Sequence, residues 1–275
     1  MQLFAFDQQR KPIAAERALH GRNYFCAECG AHVRVRGGMH VRKHFFHQRS
    51  GLQCRSAAKS LSHIQTQFFI QRSIGHDQVQ LERFFPEIRR IADVCWENEK
   101  IIFEVQCSAI SAPEVLARNK DYASLGYQVI WVPHDSTFNG GRLSEAEQVM
   151  RRGPHYFTNI NPHGEGGLYD QLDLVVEGRR VYKSPLWIPR LREYQSTERP
   201  LLAPEPLHRR WIHGRGFFSG DCLGAWQEGD PQMRAALVQA SSARLSRLQI
   251  GGVVKKMLAW LLRQALEGAS ASPRR

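Results

Sequence analysis

The sequence predicts a mixed α/β protein whose central core runs helix, three strands, helix, strand. Three observations lead there. Leu61, Ile64, Phe68 and Phe69 fall on one helical face. Two apolar runs, Ile88 to Trp96 and Lys100 to Cys107, flank the short turn Glu97-Asn98-Glu99. The segment Tyr127 to Val132 is continuously apolar, as a buried strand requires.

Each element has its own signal. The first helix is expected from Ala57 to about Ser73, closed by Gly75. Val79 to Phe85 reads as a strand that Pro86 interrupts. The arm IIFEVQC is apolar apart from Glu104 and Gln106, which marks it as a central strand buried on both faces. Ser111-Ala-Pro-Glu114 fits a capping box, so a helix is expected to start there and run to Leu125, with Gly126 after its end. Residues 133–165 read as loops with a short helix near 144–151, and 168–183 as a hairpin turning at Glu177-Gly178. Periodicity is weak from 184 to 232. Residues 233–266 read as a helix in two pieces broken at Gly251-Gly252, followed by a polar tail. The expected division is 1–56, 57–137 and 138–275.

Lys and Arg number 38 against 26 Asp and Glu, a net charge of +12. The charge is uneven: residues 1–60 carry 11 basic against 3 acidic side chains, 61–137 carry 7 against 10, and 138–275 carry 20 against 13. Basic flanks around an acidic middle suit a carboxylate-lined site between surfaces that hold a polyanion such as DNA. No apolar run reaches the length of a membrane span, so no membrane insertion is expected. The N-terminal residues lack a secretory pattern, which gives a cytoplasmic expectation and argues against disulfides among the six cysteines.

In a reducing compartment Cys26-x-x-Cys29 points to structural zinc. Candidates for the second pair are His40, His44, His47 and Cys54. Cys26, Cys29, His47 and Cys54 form the preferred set; His44 with His47 is the rival. Arg34, Arg36, Arg42, Arg49 and Arg55 surround them, which suits a phosphate-gripping module.

Asp93 lies within IADVCW, and Glu104 and Gln106 lie within IIFEVQC. Alternation puts Glu104 and Gln106 on one face, and the short turn lets Asp93 sit beside Glu104. Paired carboxylates in an apolar sheet repel unless a cation offsets them. Mg²⁺ or Mn²⁺ would do so, and so would an arginine such as Arg89, Arg90 or Arg118. Glu82 is a third candidate carboxylate, and His63 is a further candidate on the preceding helix.

These residues resemble a known family. CxxC, HFFH at 44–47, SLSH at 60–63, RRIADV at 89–94, IIFEVQCS at 101–108 and the series Arg118, Tyr122, Gly126, IWV resemble the competence protein CoiA-like family of the PD-(D/E)xK nuclease superfamily, over about residues 20–135. The resemblance implies a restriction-endonuclease-like αβββαβ core behind a zinc-ribbon-like module. It also implies a divalent-metal DNA nuclease acting in natural transformation, with recombination or competence proteins as partners. Asp93 and Glu104 would hold the metal, Glu82 assist, His63 serve as ligand or proton shuttle, and Gln106 stand at the usual lysine position. Gln106 can orient water but carries no charge. Arg89, Arg118 and Lys120 are candidate phosphate contacts. The competing expectations are a non-catalytic nucleic-acid-binding scaffold and a zinc-dependent protein-binding module.

Overall fold

A computed structural model describes residues 2–38, 43–48, 54, 59–197, 203–204, 207, 214–246, 255–261 and 264. The expectations for His40, Arg42, Arg49, Arg55, the break at Gly251-Gly252 and the tail lie outside these residues. The chain forms two compact units, one of residues 1–137 with 158–167, the other of 138–157 with 168–275.

The first unit opens with five short strands: β1 (Phe4–Phe6), β2 (Pro12–Ala14), β3 (Tyr24–Phe25), β4 (His32–Arg36) and β5 (His44–His47). They form one sheet in the order β2-β1-β3-β4-β5. On β4 exposure alternates with burial residue by residue, so Val33 and Val35 point inward. They meet Ala5, Tyr24 and Phe45 in a small core that also takes in Cys26 and Cys54. A module this small has little apolar surface, so a metal at its cysteines would add much of its stability.

Next come α1 (Leu61–Ile74), β6 (Gln80–Phe85), β7 (Arg90–Trp96), β8 (Ile101–Gln106), α2 (Ala112–Ser124) and β9 (Gln128–Pro133). This is the expected helix, three strands, helix, strand. The sheet order is β6-β7-β8-β9, antiparallel except for the parallel β8–β9 pair. The parallel pair follows from the α2 crossover, because antiparallel strands need no helix between them. Every β8 residue except Gln106 is buried, as a central strand demands.

Local chemistry sets the helix ends. Ser60 rather than Ala57 starts α1, its hydroxyl accepting from the His63 N–H at 3.2 Å. Gly75 closes α1 at φ 138°. Ser111 caps α2 by accepting from the Glu114 N–H at 3.4 Å, and Gly126 follows at φ 81°. α1 packs on β6, β7 and β8, and α2 on β9. Phe85, Cys95, Ile102, Tyr122 and Tyr127 form one core cluster between sheet and α2.

The second unit is built on a hairpin of β11 (Leu168–Val176) and β12 (Arg179–Trp187), after α3 (Glu145–Met150); the two-residue strand β10 (Phe157–Thr158) falls where the chain passes from this unit to residues 158–167 of the first. Glu177 and Gly178 turn it at φ 50° and 73°. The stretch with weak periodicity holds β13 (Tyr194–Ser196), β14 (Gly216–Phe218) and α4 (Cys222–Glu228), and α5 (Pro231–Ser246) follows. Leu172, Trp187, Leu207, Cys222, Met233 and Leu237 share their core.

Asp221 joins these elements. Oδ1 accepts the Leu223 and Gly224 N–H groups at 2.9 and 2.8 Å, and Oδ2 accepts the Phe218 N–H and the Tyr156 hydroxyl, both at 2.9 Å. Asp221→Ala therefore removes a helix cap and strands buried donors, at a cost of about 3 kcal/mol. Tyr156→Phe removes one bond and costs about 1 kcal/mol. Urea unfolding followed by tryptophan fluorescence would rank the two; equal midpoints would contradict this account.

Candidate metal and nuclease site

Cys26, Cys29, His47 and Cys54 bring their ligand atoms within 4.8 Å of one another. Cys26 Sγ lies 3.6 Å from Cys54 Sγ, and Cys29 Sγ lies 3.3 Å from His47 Nε2. Four ligands at ordinary zinc distances would stand about 3.8 Å apart at the sulfurs, so the set fits tetrahedral zinc. Burial lowers the His47 pKa, which favours the neutral imidazole that ligates metal. His44, the rival ligand, is buried elsewhere and accepts from Arg36 Nε at 3.0 Å. The sheet register separates the two histidines: His47 stands opposite core residue Val33, and His44 opposite exposed Arg36.

Asp93 is 2 % exposed and Glu104 0 %. They sit on neighbouring strands, one step beyond the Val94–Phe103 pair. Asp93 replaces a ladder bond there, Oδ2 accepting the Val105 N–H at 2.9 Å. Oδ1 lies 2.7 Å from Lys59 Nζ, 3.0 Å from His63 Nε2 and 3.0 Å from Gln67 Nε2. Burial opposes its ionisation. The cation at Lys59 and the His63 ring outweigh that and hold the carboxyl well below the usual range. Burial also pushes His63 below its ordinary value despite Asp93, so we assign Lys59 as the charged partner and His63 as a neutral donor. Lys59 is itself pulled upward by Asp93 and Glu82 against burial and stays an ammonium.

Glu104 pairs with Arg118 Nη1, while Arg118 Nε reaches Glu114 Oε1 at 3.1 Å. Burial raises the Glu104 pKa against the pull of Arg118. Its other oxygen, Oε1, is buried with no well-aligned hydrogen bond. The Tyr122 hydroxyl is the nearby partner: its pKa is held up by burial and by the Glu104 charge, and it interacts with that carboxylate, though not in ideal hydrogen-bond geometry. A buried carboxylate oxygen without a well-aligned donor is costly by itself and suits a cation or a water. Together Asp93 and Glu104 offer the hard oxygen donors that Mg²⁺ or Mn²⁺ prefers.

A polar cavity of about 220 Å³ opens at this end of the sheet. Lys59, His63, Asp93, Gln106, Arg89 and Arg118 are on its wall; Glu104 lies behind it, and Lys120 is exposed on α2 outside the lining. Gln106 Nε2 donates to the Ser108 carbonyl at 2.6 Å. Glu82 is turned to the N-terminal strand: Oε2 accepts the Leu3 and Phe4 N–H groups at 2.7 and 3.2 Å, and Oε1 meets Lys59 at 3.0 Å. Its φ of 49° sets that direction.

Two participants escaped the sequence reading. Lys59 sits immediately before the Ser60 cap, where nothing in the pattern marks it. Gln67 lies one helical turn beyond His63, and the i, i+4 spacing was the available signal. Glu28, inside the Cys26–Cys29 turn, also lines the cavity, so the cysteine module borders the acidic site.

With this geometry in place, comparison defines the class. Residues 60–158 match the family model described as "Competence protein CoiA, nuclease-like domain". The match supports the CoiA-like family for this chain and gives it a nuclease-like domain. No curated protein and no solved structure matches the chain. Among the described residues no helix is long and apolar enough to cross a membrane.

Two outcomes are expected. The protein as purified holds one zinc per chain by metal analysis, and Cys26→Ser or Cys54→Ser abolishes it, whereas His44→Ala leaves the stoichiometry intact. Arg118→Met leaves Glu104 buried and unpaired, lowering stability by about 3–5 kcal/mol, and Glu104→Gln in the same chain restores most of it. An unchanged unfolding midpoint for Arg118→Met would sink the ion-pair account.

Proposed function

We propose that this chain is a divalent-metal-dependent DNA nuclease that processes DNA for recombination during natural competence. The observation that carries the reading is a buried Asp93, 2.7 Å from the Lys59 ammonium, on the wall of a cavity it shares with Lys59, His63, Gln106 and Arg118. The family match over residues 60–158 supports the reaction class. DNA is the proposed partner, with recombination or competence proteins handling the product.

Asp93 and Glu104 would hold Mg²⁺ or Mn²⁺. Such an ion polarises a phosphodiester and acidifies water. The chain's own residues do the rest. Lys59 supplies the positive charge that Gln106 lacks, since its ammonium reaches the same cavity as Asp93. His63 keeps the Asp93 carboxylate oriented from the helix side. Gln106 presents an amide for orienting water. Arg89, at the cavity rim, and Lys120, on the exposed face of α2, hold the phosphate backbone. Glu82 assists by fixing Lys59.

A second reading has its own support. Asp93 and Glu104 already face internal cations in Lys59 and Arg118. A site neutralised from within suits a scaffold that binds DNA without cutting it.

The two separate on one assay. Single-stranded, linear duplex and branched DNA would be incubated with Mn²⁺ or Mg²⁺, using wild type, Asp93→Asn, Glu104→Gln and Lys59→Met, each checked for folding by circular dichroism. The nuclease reading expects cleavage by wild type, its loss in both carboxylate variants, and a drop of about 100-fold or more in Lys59→Met. Binding without cleavage by folded wild type would establish the scaffold instead.

A further inference from the structure

We infer that the outward face of the N-terminal sheet is a binding platform for single-stranded nucleic acid, with bases stacked on Phe25, His32 and Phe46 and the backbone held by Arg10, Arg34 and Arg36. The inference goes beyond cleavage and stands whether or not the acidic site turns over.

Register fixes the face. In an antiparallel pair, directly opposed residues point to the same side. Phe25 opposes His32, and Arg34 opposes Phe46. On β4 the exposed positions are His32, Arg34 and Arg36, while Val33 and Val35 are buried in the core. Phe25 and Phe46 therefore project outward with the arginines, and both are half-exposed. Phe6 stands opposite Phe25 on the neighbouring strand and extends the aromatic row.

The outward side of a small two-faced sheet is ordinarily polar. Here aromatic rings and guanidinium groups alternate across it, and none of these outward strand positions is a carboxylate. Phe25 and His32 rings lie 5.1 Å apart at 53°. The Arg10 guanidinium sits 4.7 Å from the Phe25 centroid, and that of Arg36 4.9 Å from the Phe46 centroid. Arg34 Nε donates to Asn23 Oδ1 at 2.8 Å, which holds its guanidinium in place. Flat cations laid on aromatic rings give two kinds of stacking surface, ring and guanidinium plane, side by side.

That composition selects the ligand. A phosphate backbone meets uncompensated positive charge, and unpaired bases meet π faces that accept any base. Duplex DNA hides its base faces, so it meets only the charge. The structure thus favours single strands over duplexes, with little dependence on sequence. Rings and guanidinium planes, the stacking groups among the described residues of this face, do not distinguish sugars, so DNA and RNA strands of equal length are expected to bind alike.

The test is fluorescence anisotropy with the full zinc-loaded chain and a labelled oligothymidylate of roughly fifteen nucleotides, a length that spans such a platform. No magnesium or manganese is added, so binding is read apart from cleavage. Phe25→Leu and Phe46→Leu keep the apolar bulk and remove the π face; the double variant is expected to lose about tenfold or more in affinity with its zinc content unchanged. Arg34→Gln and Arg36→Gln together should flatten the salt dependence by about 0.7 per lost phosphate contact. An oligouridylate should track the thymidylate, and a duplex of the same length should bind more weakly and ignore the phenylalanine changes. Equal binding of duplex and single strand overturns the proposal. So do leucine variants that bind like wild type, or that alter only the sedimentation mass of the protein, which would mark the face as a contact between two copies.

Discussion

Asp93 accepts from Lys59, His63, Gln67 and the Val105 N–H, and much of the first unit is arranged to keep that buried charge satisfied. An ionised carboxylate out of water costs several kcal/mol unless it is paired and fully hydrogen-bonded. Here the donors come from the segment before α1, from two positions on α1 and from the backbone of β8. The charge therefore ties a helix, two strands and a connecting segment to one point. Lys59 extends the tie by bridging to Glu82, which in turn accepts two backbone N–H groups beside β1. Loss of Asp93 would remove more than a ligand.

The second carboxylate is held differently. Glu104 faces α2, where Arg118 pairs with it and Glu114 anchors Arg118 in turn. Its remaining oxygen lies by the Tyr122 hydroxyl with no well-aligned hydrogen bond. One acid is ringed by donors, and the other faces Arg118 and the Tyr122 hydroxyl. Such asymmetry pushes the two carboxyls in opposite directions, Asp93 down and Glu104 up, which is how adjacent acids come to play unequal roles. The bordering cysteine module adds Glu28 to the cavity wall.

The phenylalanine pairs illustrate how one rule yields different fates. Phe45 is fully buried while Phe46 lies on the outer face; Phe85 is core while Phe84 is 42 % exposed. Consecutive strand residues point to opposite sides, so a pair cannot be wholly core where only one face of the sheet is covered. The outward member needs its own explanation, and in the N-terminal sheet arginine supplies one.

Much of the nuclease-like core was legible in the sequence because its signals are local. Ser60 and Ser111 as caps, Gly75 and Gly126 as stops, and the apolar runs of β7, β8 and β9 each act within a few residues. That Asp93 lies near Glu104 was readable from the shortness of the turn, but the register, with Trp96 opposite Ile101, rests on a four-residue turn that the structure supplies. The Cys26-x-x-Cys29 knuckle was likewise readable, but the choice of His47 and Cys54 over the His44–His47 pair was made by the tertiary arrangement that gathers those four ligand atoms. What the tertiary structure alone decided are the partners. Lys59 meets Asp93 across 34 positions, Glu82 meets Leu3 across 79, and Arg118 turns inward to Glu104 rather than outward to phosphate. Charges pair over such separations only once packing has set their distance and removed the water between them, and no spacing rule along a chain encodes that.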